Sequence, residues 1–485
     1  MRPKRPVLRF RDGDASPIPD TAAAPTSETY ANQPASGVQS VAEAPVSTFS
    51  ADVDTASYAR LRRAILAGQI PSPHMVRTEE VINAFAYDYP APTTPDTPFR
   101  ATTTVTDSPW TEGAHLLHIG IQGYAPRDAD RPAANLVFLV DASGSMAARD
   151  KLPLLVRSLE MLLGQLAPDD TVSIVTYAGS AGVVLAPTPA RDGDTIRDAL
   201  ARIHSGGATA GAAGIEAAYD LAQQAFIDGG ANRVILATDG DFNLGVSDPK
   251  ALERLIAQKR KTGIFLSVLG VGTGNLRDDT MQALAQAGNG TAAYLDSLRE
   301  ARRVLVEQVS GMLFTIAKDV KLQVEFNPAQ VSQYRLLGHK TRALARANFD
   351  NGRVDAGEIG AGHRVTAIYE IRRPHGVTPP GRHGAEEVAP LGAHTEELAF
   401  LKIRHKAPDS GTNVVSETPI LADVAIPLQD APAGVRFSIA AAVFAEKLRG
   451  TPALADTPWS DIAALARSGL GDDPMGRRRE LIDLI

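Results

Sequence analysis

Two carboxylates and three hydroxyls, set at the ends of apolar runs, carry the chemistry that this chain offers. The segment VFLVDASGSM puts Asp141 directly after an apolar stretch and supplies Ser143 and Ser145 before a helix begins. Alternate residues of an extended loop point to one side, so these three oxygens converge on one point. The glycine-flanked SGGATAG opens a second helix and offers Thr209, and RVILATDGDFN sets Asp239 just past another apolar run. Hydroxyl and carboxylate oxygens are hard ligands that suit Mg²⁺, octahedral at about 2.1 Å, or Mn²⁺ or Ca²⁺ in its place. Two formal negative charges and neutral hydroxyls hold such an ion modestly and leave it electrophilic. An Asp or Glu of a protein or peptide partner then becomes the final ligand, which is adhesion through a metal bridge.

The elements that must position these residues follow from hydrophobic patterning. From residue 134, apolar runs at 135–140, 171–177, 233–238 and 264–270 alternate with helical periods such as KLPLLVRSLEMLLGQL and AAGIEAAYDLAQQAF. Short apolar runs separated by helices imply buried parallel strands with right-handed crossovers, and ligands gather at the carboxyl ends of such strands. GVVLAP (182–187) follows its predecessor after a tight turn and is expected as an antiparallel edge strand. Strand-like alternation at 98–124 and again after 315 flanks this unit, so the simplest packing is one β-sandwich with the α/β unit inserted.

The expected organisation is therefore a disordered leader over 1–45, a helical module over 46–95, strands over 98–125, an α/β domain over 133–313, and a β domain with a helical tail over 315–485. Two helices are expected in the N-terminal module, the second over VRTEEVINAFAYDY, and one continuous helix over SLREARRVLVEQVSGML. The length of 485 residues suggests about three domains.

DASGSM, the Thr209 loop and ATDGD together resemble the metal-ion-dependent adhesion site of von Willebrand factor type A domains. STFSADVDTASYARLRRAILAGQIP, VDAGEIGAGHRVTAIYEI and the helical tail are similar to the bacterial YfbK-like group of those proteins, over about residues 38–485. The resemblance implies a Rossmann-like α/β domain in which Ser143, Ser145 and Thr209 ligate directly once a partner is bound, while Asp141 and Asp239 act mainly through waters. Ala208 and Ala210 flank Thr209 where relatives often carry Ser and Asn, which removes no ligand. Members of the group often begin with a lipoprotein leader and are exported or lipid-anchored. Here five basic residues near the start are not followed by an apolar stretch, so neither a signal peptide nor a transmembrane segment is expected.

Other chemistries find less support. Taken alone, Asp141, Ser143 and Ser145 would also suit a turn that caps a helix; Thr209 and Asp239 at matching strand ends favour the convergent site. VLGVGTGN lacks the lysine of a phosphate loop. GxSxG is absent, and His204 is expected as a loop residue before any role as a base. His115 and His118, three apart on a strand, face opposite sides and make a poor metal pair. A net charge of −7 argues against nucleic acid, and the lack of cysteine excludes disulfides and thiolate sites. Arg477, Arg478 and Arg479 are expected on a solvated face.

Metal-dependent protein binding without catalysis is the function this pattern predicts. The alternatives are a scaffold that works through its flanking domains with only a structural metal, and a hydrolase. Asp141→Ala and Asp239→Ala are both expected to weaken Mg²⁺ binding and leave the fold intact.

Overall fold

The computed structural model describes residues 36–51, 55–127, 130–178, 181–206, 211–240, 249–272, 278–339, 349, 357–374, 396–407, 412–422 and 425–485. The described residues open with β1 (Gln39–Ser40), β2 (Val46–Ser50), α1 (Ala56–Leu66) and α2 (Thr78–Asn83), then the hairpin β3 (Phe99–Asp107) and β4 (Ala114–Gly123). β1 pairs with a strand near residue 333, so the segment expected as leader up to 45 is already docked at 39. α2 ends at Asn83, well short of the expected span, because Asn83 turns its side chain onto the backbone of a neighbouring strand at Thr366.

The α/β unit runs through β5 (Ala134–Asp141), α3 (Leu152–Leu163), β6 (Thr171–Tyr177), β7 (Ala181–Pro189), α4 (Gly193–Ala201), α5 (Gly211–Gln224), β8 (Ala231–Thr238), α6 (Pro249–Lys259), β9 (Ile264–Val271), α7 (Asp278–Ala287) and β10 (Ala292–Leu295). Its sheet has the order β10-β9-β8-β5-β6-β7, parallel except for the antiparallel edge strand β7. Every residue of β5 is buried, as the unbroken apolar run required of a strand covered on both faces. Leu136, Phe138 and Val140 pack with Leu155 and Leu159 of α3 on one face. Val137 and Leu139 pack with Ile215 and Tyr219 of α5 on the other. Because β6 lies on one side of β5 and β8 on the other, the strand order reverses at β5, the position where an open α/β sheet forms a crevice.

The unit closes through α8 (Leu298–Arg302), a π turn at Arg303–Glu307, and α9 (Val309–Leu313). The helix expected to be continuous is instead widened here, where the N–H of Gln308 donates to the carbonyl of Arg303 at 3.0 Å, five positions back.

Next come β11 (Thr315–Phe326), β12 (Gln333–Leu336), β13 (Ile359–Gly360), β14 (Arg364–Arg372), β15 (Glu397–Lys406), β16 (Asn413–Leu421) and β17 (Ala425–Ile426). One sheet has the order β1-β12-β14-β4-β3-β17; the other is β13-β11-β15-β16, with β2 also paired to β11. The two sheets share one core, in which Leu117, Ile119 and Ile121 of β4 meet Leu322, Val324 and Phe326 of β11. β3 and β4 precede the α/β unit while their partner β14 follows it, so the unit is an insertion in a β-sandwich.

The chain ends in α10 (Ala433–Leu448), α11 (Trp459–Ser468) and α12 (Arg477–Leu484). The helical elements at the two ends of the sequence join in one cluster, where Tyr58, Leu61 and Ile82 pack with Phe437, Phe444 and Leu481. The arginine cluster departs from expectation here. Arg478 is buried, lies over the rings of Tyr87 and Phe437, and donates to the carbonyls of Ala86, Gly469 and Leu470; Arg477 pairs with Glu307 at 3.0 Å. Only Arg479 is exposed. Among the described residues, no helix is long and apolar enough to cross a membrane.

Candidate metal centre

The carboxyl ends of β5 and β8 lie side by side at the point where the strand order reverses, and they deliver Asp141 and the Thr238–Asp239 pair to one place. Asp141 is fully buried; its Oδ1 accepts the backbone N–H of Ser143 at 2.8 Å. This turn sends the Ser143 hydroxyl to 2.9 Å from that of Ser145. Thr238 Oγ1 donates to Asp141 Oδ2 at 3.4 Å and accepts the N–H of Gly240 at 3.1 Å, which links the two strand ends. Burial grades across the cluster. Asp141 and Asp239 lie inside, Ser143 just beneath the surface, and Ser145 in solvent.

Two structural devices fix this arrangement. Tyr177, at the end of β6, is fully buried beside Asp141, and Gly214 of α5 sits so close that a Cβ there would come within 2.8 Å of the Tyr177 Cβ. That close approach seats the helix which follows the Thr209 loop. The loop itself is tied at its start, because the N–H of Gly206 donates to the carbonyl of Ala142 at 2.8 Å. Thr209 lies outside the described residues.

Burial raises the carboxyl of Asp141 above its usual range, the hydrogen bonds from Ser143 oppose the rise, and the nearby Asp239 adds to it. Burial also pushes the Tyr177 phenol far up, with the Asp141 charge reinforcing the effect. Two carboxylates so close in a dry setting call for a compensating positive charge.

Part of that charge comes from a residue that the sequence pattern did not single out. Lys151 Nζ donates to Asp239 Oδ2 at 2.7 Å, with side-chain exposures of 8% and 0%, so this is a buried ion pair. Lys151 stands at the N-terminal boundary of α3, where a cation opposes the helix dipole unless an acid holds it. That conflict was the available signal.

The donor set suits a hard divalent ion. Neighbouring ligands on an octahedral ion of this size stand about 3 Å apart, close to the spacing of the Ser143 and Ser145 hydroxyls. Among the described residues there is no group of three or more His, Asp or Glu side chains arranged for a metal, so the cluster is of the mixed hydroxyl and carboxylate kind. His204 is exposed, and its ring lies 3.0 Å from the carbonyl of its own neighbour Ile203. His118 is buried against Tyr89 while His115 faces Asp107, on opposite sides of the sheet.

Three family models match in sequence order: von Willebrand factor over residues 24–118, von Willebrand factor type A domain over 135–307, and the C-terminal region of uncharacterized protein YfbK over 311–485. Uncharacterized protein YfbK of Escherichia coli (strain K12) is 40% identical over 456 residues, which cover 92% of this chain and 79% of that protein. The chain belongs to the YfbK family of von Willebrand factor type A proteins. The magnesium-chelatase 60 kDa subunit of Rhodobacter capsulatus is 34% identical to the YfbK-family chain over 138 residues, 28% of this chain and 24% of that subunit. Among solved structures, a von Willebrand factor type A protein from Catenulispora acidiphila matches with 15% identity and a TM-score of 0.42, over 81% of this chain and 91% of that one.

Proposed function

We propose that this YfbK-family chain is a non-catalytic binding protein. In this reading Asp141, Ser143, Ser145, Thr209 and Asp239 hold a divalent ion, Mg²⁺ by donor chemistry with Mn²⁺ or Ca²⁺ as substitutes, and a protein or peptide partner docks there through an Asp or Glu. The observation that carries it is the convergence of buried Asp141 and Asp239 with the paired hydroxyls of Ser143 and Ser145 at the strand-order reversal. The bound ion supplies an electrophilic position for the partner's carboxylate. The protein's own part is to orient its oxygens in advance, Asp141 through the Ser143 amide and Asp239 through Lys151, so that little ordering accompanies binding. Exposed Ser145 puts the open side of the cluster at the surface, where a macromolecule reaches it.

The hydroxyls of Ser143 and Ser145 bond to each other, and the ring of His204 lies against its own backbone, which supports binding over hydrolysis. The experiment titrates Mg²⁺ and Mn²⁺ into the full chain and into Ser143→Ala by calorimetry, and retains host proteins on each with Mg²⁺ or with EDTA. Metal affinity and partner retention that both fall in Ser143→Ala and in EDTA establish the reading. Retention indifferent to both moves the function to the sandwich and helical layer, as a scaffold.

A further inference from the structure

Lys151 is placed to do more than neutralise a buried carboxylate. Its stem crosses the sheet edge against Gly272, which follows β9 with φ +79°; a Cβ at Gly272 would collide with Cγ and Cε of Lys151. The carbonyl of Gly272 in turn accepts from the hydroxyl of Tyr294 in β10, and the ring of Tyr294 faces Arg63 of α1. The lysine stem therefore lies against Gly272, just past the end of β9, with its ammonium delivered to Asp239 Oδ2 at 2.7 Å.

Resting on the reading of this cluster as a divalent-ion site, we infer that Lys151 is a built-in counter-cation that sets the charge of the loaded centre. Among the described residues, the carboxylates of Asp141 and Asp239 and the ammonium of Lys151 leave one net negative charge in the cluster. With a divalent ion added, the centre carries one net positive charge in place of none. Lys151 thus weakens the hold on the ion and strengthens the hold on a carboxylate from outside. It is a positioning residue that trades metal affinity for affinity toward an acidic partner. The two effects have opposite signs, which a merely structural lysine would not produce.

Lys151→Gln retains a hydrogen-bond donor for Asp239 and removes the charge, and Lys151→Met removes both. Mn²⁺ binding to the full-length chain is followed by electron paramagnetic resonance. Acetate binding to the Mn²⁺-loaded protein is followed by paramagnetic relaxation of the acetate methyl protons. Thermal melting is recorded in EDTA and in saturating Mg²⁺.

Removing one positive charge a few ångström from the ion tightens Mn²⁺ binding by about tenfold or more, even in a water-like dielectric. Acetate binding, with half the charge product, weakens by about threefold or more, and Mg²⁺ raises the melting temperature of either variant more than that of the wild type. If wild type binds Mn²⁺ and folded Lys151→Gln binds it with equal or lower affinity, the counter-cation inference is overturned and the metal reading stands. If neither wild type nor either variant binds Mn²⁺, the metal reading falls and takes this inference with it.

Discussion

The N–H of Gly206 donates to the carbonyl of Ala142 at 2.8 Å, so the loop that leads toward Thr209 starts on the turn that carries Asp141 and Ser143. One backbone bond thereby joins two segments more than 60 positions apart, and it does so inside the candidate centre.

Thr209→Ala accordingly lowers Mg²⁺ affinity by about tenfold or more, a loss of the size seen when a residue supporting a metal ligand is removed. The melting temperature in EDTA stays within about 2 °C of wild type, because the tie at Gly206 is a main-chain bond that the substitution leaves alone. Calorimetry with Mg²⁺ that gave wild-type affinity would remove Thr209 from the centre.

Asp239→Ala costs more than metal binding, contrary to what the sequence pattern alone implies. It strands the ammonium of Lys151, whose side chain is 8% exposed. Breaking a buried pair by deleting one partner costs about 3–5 kcal/mol. Asp239→Asn, which leaves an oxygen for Lys151 to bond, costs about half as much. Urea denaturation in EDTA checks both. Stability of Asp239→Ala within about 1 kcal/mol of wild type would show that Lys151 finds another partner or water.

Arg478→Ala destabilises the fold by about 3 kcal/mol, since charge-assisted bonds to three carbonyls and the faces of two aromatic rings are lost together. Arg478→Lys recovers only part of this, because an ammonium presents no planar fork to the carbonyls. Thermal or chemical melting that placed the alanine variant within about 0.5 kcal/mol of wild type would contradict the assignment.

His118 sets an acid limit. Burial lowers its imidazole from the usual 6.5 to about 4. The unfolded chain therefore takes up a proton as pH falls through 6.5, while the folded chain stays neutral until about 4. The group's contribution is fully present above pH 6.5 and is lost progressively toward pH 4, by about 2 kcal/mol at pH 5. His118→Gln should lose correspondingly less stability between pH 7 and pH 5, as measured by urea midpoints. Equal losses in both proteins would mean that His118 is protonated in the folded state.

The α/β sheet was legible in the sequence because strands covered on both faces must be apolar throughout, and 135–140, 171–177, 233–238 and 264–270 are such runs. The edge strand at 182–187 was legible from the tight turn before it, which leaves room only for an antiparallel return. Asp141, Ser143, Ser145 and Asp239 declare themselves by type and by position after apolar runs, and the structure gathers them. Lys151 does not, because its meaning depends on Asp239, 88 positions away. The arginine cluster misled for the same reason. Charge predicts a solvated face, but Tyr87 and Phe437 come from opposite ends of the chain to cover Arg478. The π turn at Arg303–Glu307 is likewise a backbone bond across five positions that helical periodicity does not register.

The insertion has a consequence for how the molecule is made. β4 finds its partner β14 only across a long stretch of chain, Gln122 bonding to Arg364 at a separation of 242 positions. During synthesis at about 5–20 residues per second, the hairpin of β3 and β4 waits roughly 12 to 50 seconds for that partner to emerge. Over this interval Leu117, Ile119 and Ile121 have no sandwich to face. The α/β unit has its own sheet and its own helices on both sides, so it matures first and shortens the effective loop between the waiting strands. The ribosome thus delivers the α/β unit complete before the framework that carries it has closed.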